Sequence, residues 1–232
     1  TESGTDWNYA TQWSFHPKES ISFLYPYHYG LQNYSTRDLK SAAYWGYMPF
    51  TQSTHYLGLI AIIFAILGAL LRKPDKLEMF FWVTTFLALI TGFGSFFPIL
   101  FKPFYSILPL FSKFRIPSMI YVLLAITLPF LAAKGLDSYL EKSEKHESYK
   151  KALYVAGGFA GLSIILLLVG ETIFDFSSVK DGRFNPAVIS QLKTVRIDLF
   201  QKGVLLALGI SLGSLGLLWG LNQKKMNHKV FS

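Results

Sequence analysis

The chain contains no cysteine. That excludes disulfides, thiolate metal sites and a cysteine nucleophile. Acidic residues are scarce: 14 Asp and Glu stand against 22 Lys and Arg, for a net charge of +8. Five histidines (His16, His28, His55, His146, His228) show no HxxxH-type spacing, which argues against a zinc site. Also missing are a P-loop, a dinucleotide fingerprint, a GxSxG elbow and an HExxH helix. Direct ATP coupling within this segment is therefore unsupported. The most informative scarcity is charge within five long apolar runs.

Those runs cover 56–71, 79–97, 117–136, 152–174 and 203–221. A membrane span needs roughly 20 apolar residues at about 1.5 Å each. The first and third are slightly short, and uncharged flanks at 51–55 and Ile116 can extend them. The chain is 51% hydrophobic with a mean hydropathy of +0.34. A soluble protein would spread its charges along amphipathic helices; here they cluster between the runs. The expected fold is all-α: a polytopic transmembrane bundle of five spans with outer-side amphipathic or interfacial helices. The positive charge then reads as basic loops on anionic lipid or a basic site for an anionic substrate, with no nucleic-acid partner.

Half of the basic residues crowd three short connections: Arg72, Lys73, Lys76; Lys134, Lys142, Lys145, Lys150, Lys151; and Lys224, Lys225, Lys229. Basic density marks the cytoplasmic side. Segment 1–55, rich in Trp and Tyr, then lies outside. Next come three spans over 56–136, with an outer re-entrant or interfacial loop at 98–116. A charged cytoplasmic loop follows at 137–151. Two further spans lie in 152–221, joined by an outer amphipathic helix at 185–199, and 222–232 is a cytoplasmic basic tail. An outward segment 1–55 without a signal pattern implies an upstream span, so the chain reads as a fragment whose parent carries earlier transmembrane helices.

Local signals refine this. HPKESISFLYP reads as a short helix opened by Pro17 and ended by Pro26, with Lys18 and Glu19 facing water. Thr51 or Ser53 suits the N-cap of the first span. Gly92, Gly94 and Pro98 should end the second, and Pro129 should kink the third. Asn185 and Pro186 open the amphipathic helix, whose stripe is Val188, Leu192, Val195 and Leu199. Gly209, Gly213, Gly216 and Gly220 would admit a close neighbouring helix, within the same protein or in a second copy.

Lys113 and Arg115 lead as site candidates. They precede the amino end of the third span on the outer side, where both the basic-inside rule and the helix dipole disfavour cations. A phosphate held there would reverse the penalty; snorkelling to phospholipid headgroups is the alternative. Tyr44, Trp45 and Tyr47 suit either a platform for a sugar or acceptor or an interfacial aromatic belt. Arg183, Lys193 and Arg196 form a second outward basic group, or a solvated face. Glu171 is the carboxylate placed well within an apolar run, a functional candidate or a group that reaches water or Lys202. No carboxylate falls in a pattern that marks a catalytic acid or base, so the catalytic residue stays unknown. No metal or cofactor site is evident.

The pieces ATQWSFHPKESISFLYPYHYG, YWGYMPFTQSTHYLGL, FPILFKPFYSILPLFSKFRIPSMIYVLL and VRIDLFQKGVLLALG, in that order, resemble the YfhO-type family of bacterial membrane proteins. YWGYMPFT and FSKFRIPSM are the specific parts, since apolarity requires neither. The resemblance covers nearly the whole chain. It implies a member of the polytopic C-type glycosyltransferase superfamily in the bacterial cytoplasmic membrane. Its implied partners are membrane lipid, a polyprenyl-phosphate sugar donor and a cell-envelope glycan or glycolipid acceptor. The catalytic carboxylate would lie upstream of Thr1, and such families admit a divalent metal. A transporter or flippase of an envelope lipid, and a membrane scaffold subunit, are the rival functions.

Overall fold

The structure is a computed structural model that describes residues 6–31, 38–51, 54–108, 111, 116–142 and 146–223. Every regular element among them is helical. The α-helices are α1 (Trp7–Ala10), α2 (Leu59–Leu71), α3 (Lys76–Gly92), α4 (Pro98–Ile107), α5 (Leu124–Lys142), α6 (His146–Ile173) and α7 (Pro186–Asn222). Short 3₁₀ helices cover Pro17–Phe23, Leu39–Ser41, Gly94–Phe96, Pro117–Leu123 and Val179–Arg183.

Three helical stretches are long and apolar enough to cross a membrane: Pro117–Lys142, Glu147–Ile173 and Pro186–Asn222. The first two expected spans fall short. α2 has 13 residues and α3 has 17. α2 starts late because Gly58 takes φ +81, a left-handed conformation suited to glycine, and the run before it is not helical. Neither expected cap applies: Thr51 lies outside the helix, and Ser53 lies outside the described residues. α3 begins with a capping box between Asp75 and Glu78 and ends at Gly92, just before Gly94 at φ +52.

The amphipathic helix expected at 185–199 is not a separate element. It is the first part of the 37-residue α7, capped by the Asn185 side chain on the Val188 N–H, with Pro186 in the first turn. No helix breaker separates it from the apolar run. Its buried stripe is Leu192, Arg196, Phe200, Val204, Ala207, Ser211, Ser214 and Leu218, spaced by three or four residues. α5 likewise runs through Pro129 without a break in its helical assignment.

α2 packs along α5, and α6 along α7. At the first contact Gly68 faces Gly135, and a Cβ on Gly135 would run into the Phe64 carbonyl. Ala156, Ala160 and Ser163 of α6 and Ala207, Ser211 and Ser214 of α7 are all buried, small residues that let helices approach. Among the described residues, Gly209, Gly213 and Gly216 of the fifth run face no neighbouring helix. A Cβ on Gly209, Gly213 or Gly216 would meet nothing within 4 Å among the described residues. Polar ties inside the bundle include Thr85 to Thr127 (2.8 Å) and Tyr139 to the Leu218 carbonyl (2.8 Å).

Residues 6–31 and 38–51 form an aromatic cap on one end of the bundle. Phe15 stacks on Phe23, and both meet the edge of Tyr121 near the start of the 117–142 helical stretch. Phe15, Phe23, Tyr29, Tyr44 and Met48 share a core with Ala88, Leu124 and Leu128. Tyr25 joins the α2, α6 and α7 core instead. The opposite end is basic: Lys142 and Lys151 donate to the terminal carbonyls of α2 (Leu71, 2.9 Å; Leu70, 2.8 Å). Cations there complement the helix dipole.

Candidate functional site

A cleft of about 620 Å³ opens at the aromatic end. One wall is Tyr29, Trp45, Gly46 and Tyr47; the other is Phe174, Asp175, Ser177, Ser178 and Lys180, with Lys18 beside them. The site is thus built from the 3₁₀ helix Pro17–Phe23, the turn 44–48 and the connection between α6 and α7.

The turn is held from beneath by Glu19. Only 2% of Glu19 is exposed, which overturns its expected place in water. Its carboxylate accepts the Tyr47 N–H (2.7 Å) and the Tyr44 hydroxyl (3.0 and 3.2 Å). The Tyr44 oxygen in turn accepts the Met48 N–H at 2.9 Å. Burial raises the Glu19 pKa, and the Tyr47 N–H and the Tyr44 hydroxyl work against that rise. Gly46 is required here: a Cβ would sit 2.5 Å from the Tyr44 hydroxyl and 2.7 Å from Oε2 of Glu19. From above, the Lys180 ammonium donates to the Met48 carbonyl, reaches the Gly46 carbonyl at 3.5 Å, and lies 4.8 Å over the Tyr44 ring. Burial lowers the Lys180 pKa, Glu19 opposes this and Arg183 adds to it.

The three aromatic candidates divide. Tyr44 is buried with its hydroxyl engaged, so it supports the turn and presents no ring to a ligand. Trp45 is half-buried in the cleft wall and donates Nε1–H to the His28 carbonyl at 2.9 Å. Tyr47 is exposed and stacks on His16, with ring centroids 3.7 Å apart. Behind the wall, His28 is fully buried among Tyr29, Trp45, Phe174 and Phe200. Neither of its ring nitrogens has a hydrogen-bond partner among the described residues. Burial pushes its pKa down to about 3.

The second basic group also divides. Lys193 and Arg183 are exposed, Arg183 against the Phe184 ring. Arg196 turns inward and is 1% exposed. It forms a two-pronged ion pair with Asp181 (2.7 and 2.8 Å) and donates to the carbonyls of Ala43 (3.0 Å) and Phe176 (2.9 Å). Burial works against the Asp181 carboxylate, and Arg196 with the Ser178 N–H overcomes it, so its pKa falls. Arg196 therefore ties the cap to α7, and its donors are unavailable to a ligand. Phe176 sits at φ +49, a conformation bulky residues rarely adopt, with its ring buried and its carbonyl held by Arg196.

Glu171 is exposed and accepts from the Gln201 amide; Lys202 pairs with Asp198 at 2.8 Å instead. Lys113 and Arg115 lie outside the described residues. No cluster of three or more His, Asp or Glu that could hold a metal occurs among the described residues. Lys180 and Glu19 escaped sequence reasoning. The SSVKD capping box around Ser178 and Asp181 was a usable signal for the 3₁₀ turn that carries Lys180; Glu19 had none, because its partners lie 25 to 28 residues away. No protein-family model, curated protein or solved structure matches this chain.

Proposed function

We propose that this chain is the carboxyl-side membrane segment of a glycosyltransferase, one that moves a sugar from a polyprenyl-phosphate donor to a cell-envelope acceptor. One observation carries the reading: a cleft walled by Trp45 and Tyr47 and edged by Lys18 and Lys180 opens at the aromatic end of the apolar helices. Aromatic faces suit the apolar side of a sugar ring, and ammonium groups suit a phosphate. In this reading the aromatic end faces outward, and α2 and α3 complete a five-crossing bundle together with neighbouring helices of the parent chain. Lys113 and Arg115 remain further phosphate ligands in the proposal. The acceptor hydroxyl is deprotonated by a carboxylate upstream of this segment.

The test is sugar transfer, followed by mass, with the full-length parent chain in liposomes containing polyprenyl-phosphate sugars and envelope acceptors. Trp45→Ala is expected to lower transfer by at least ten-fold at unchanged fold, on the order of one lost aromatic–ligand contact. Transfer insensitive to Trp45→Ala removes the cleft from the reaction. Lipid movement with no change in substrate mass overturns the enzyme and favours a flippase.

A further inference from the structure

Lys180 is a half-buried cation that forms no ion pair with a carboxylate among the described residues. The ion pairs among the described residues join Arg72 to Glu78, Arg196 to Asp181 and Lys202 to Asp198. Asp181, its chain neighbour, is taken by Arg196. Glu19 lies under the turn with its oxygens on Tyr44 and Tyr47. The Lys180 ammonium is left with two neutral carbonyls and the face of Tyr44. Lys18 lines the same cleft, and Arg183 is close enough to repel Lys180 electrostatically. Among the described residues Asp175 is the one carboxylate on the cleft wall, and it is exposed.

We infer that Lys180 is the anion-binding group of the cleft and that it binds by exchange: a phosphate ester takes its ammonium from the Gly46 and Met48 carbonyls. The sugar-phosphate identity of the natural ligand rests on the function proposed above; the exchange rests on the geometry. The ammonium is an ionised donor in either bond, but a phosphate adds the attraction of a net negative charge that the neutral carbonyls lack, so the exchange runs toward the ligand. It also frees the turn 44–48 on its carbonyl side while Glu19 keeps the Tyr47 N–H. Trp45 rides on that turn, so occupancy of the cleft is coupled to the ring that would contact a sugar.

The experiment uses the full-length chain in phosphatidylcholine nanodiscs, with the Trp45 signal taken as the emission lost in Trp45→Phe. Geranyl phosphate is the probe and geraniol its uncharged control. Geranyl phosphate is expected to give a saturable change that geraniol does not. Lys180→Gln should weaken binding about ten-fold or more, on the scale of one charged hydrogen bond. Because Lys180→Gln also removes the grip on the turn, Lys180→Arg is the folding control and should bind within a few-fold of wild type.

Two further arms identify the source of the phosphate. A Lys180-dependent response to inorganic phosphate supports the inference with the phosphate group alone as sufficient ligand. Loss of the geranyl phosphate response in phosphatidylglycerol nanodiscs supports it with a lipid headgroup as competitor. An equal response to geraniol, no response at all, or wild-type binding by Lys180→Gln overturns it. Sugar transfer without Lys180-dependent binding sinks the exchange and spares the enzyme; binding without transfer does the reverse.

Discussion

Glu19 and Lys180 grip one short turn from opposite sides. The Glu19 carboxylate accepts the Tyr47 N–H at 2.7 Å, and the Lys180 ammonium donates to the carbonyl of Met48. A carboxylate can only accept and an ammonium can only donate, so the two take complementary halves of the same backbone. The turn presents Trp45 and Tyr47 to the cleft. Its shape is thus set by residues remote in sequence, and the Gly46 position between them has no room for a side chain.

Removing the lower grip should be felt locally. Glu19→Ala leaves the Tyr47 N–H and the Tyr44 hydroxyl unpaired in a buried place, at about 1–3 kcal/mol. Glu19→Gln keeps an acceptor and should cost less. Thermal unfolding in nanodiscs ranks the two, and protease cleavage within 44–48 should increase for Glu19→Ala alone. Equal stability of Glu19→Ala and wild type would contradict the clamp.

Arg196 should be worth more to folding than any exposed lysine here. Arg196→Ala strands the buried Asp181 carboxylate and frees the Ala43 and Phe176 carbonyls, a change of about 3–5 kcal/mol. Adding Asp181→Ala to that variant should cost less than Asp181→Ala costs alone, since the pair acts as a unit. Lys193→Ala should fall within about 0.5 kcal/mol of wild type. A double-mutant cycle read by thermal unfolding checks all of these.

His28 gives the cap a pH response. Its pKa is depressed from 6.5 to about 3 by burial. The unfolded chain therefore binds a proton that the folded one refuses. Its contribution to stability is complete above the unfolded value and is lost as pH falls from 6.5 toward 3, by up to about 1.4 kcal/mol per pH unit. Glu19, raised by burial, acts with the opposite sign: its contribution is complete below its unfolded value of 4.5 and is lost as pH rises through its folded value. Unfolding midpoints of His28→Phe between pH 7 and 5 should vary less than those of wild type; identical slopes would remove His28 from the response.

The two glycine sets should respond differently. Gly135→Ala places a methyl against the Phe64 carbonyl, an overpacking worth about 1–3 kcal/mol. Gly213→Leu enters open space and should change stability by less than about 0.5 kcal/mol. Thermal unfolding of the two variants side by side reads the contrast.

These contrasts mark what a linear sequence discloses. The long apolar helices α5, α6 and α7 were legible because span length and apolarity are local. The Asn185–Pro186 start of α7 was legible for the same reason. Helix length at α2 was not, since Gly58 and the backbone tie from Leu57 to Phe23 decide it. Arg196 looked like a surface cation because spacing places Lys193 near it; which of the two turns inward depends on Asp181 and on the cap. Glu19 sits in a segment whose charge pattern resembles a solvated helix, and only the returning turn buries it.

A last consequence follows from the shortness of α2. Thirteen residues cover about 20 Å, against about 30 Å of hydrocarbon in an ordinary bilayer. In a bilayer, the non-helical run before Leu59 would bring naked peptide groups to a depth where lipid offers them no partner. The cap supplies one: the Phe23 carbonyl accepts the Leu57 N–H at 3.2 Å, while the Tyr56 hydroxyl accepts the Leu59 N–H at 2.9 Å. For this stretch of chain, the cap acts as the solvent. The aromatic segment and α2 are in that sense one folding unit, and neither is a module that could be exchanged without the other.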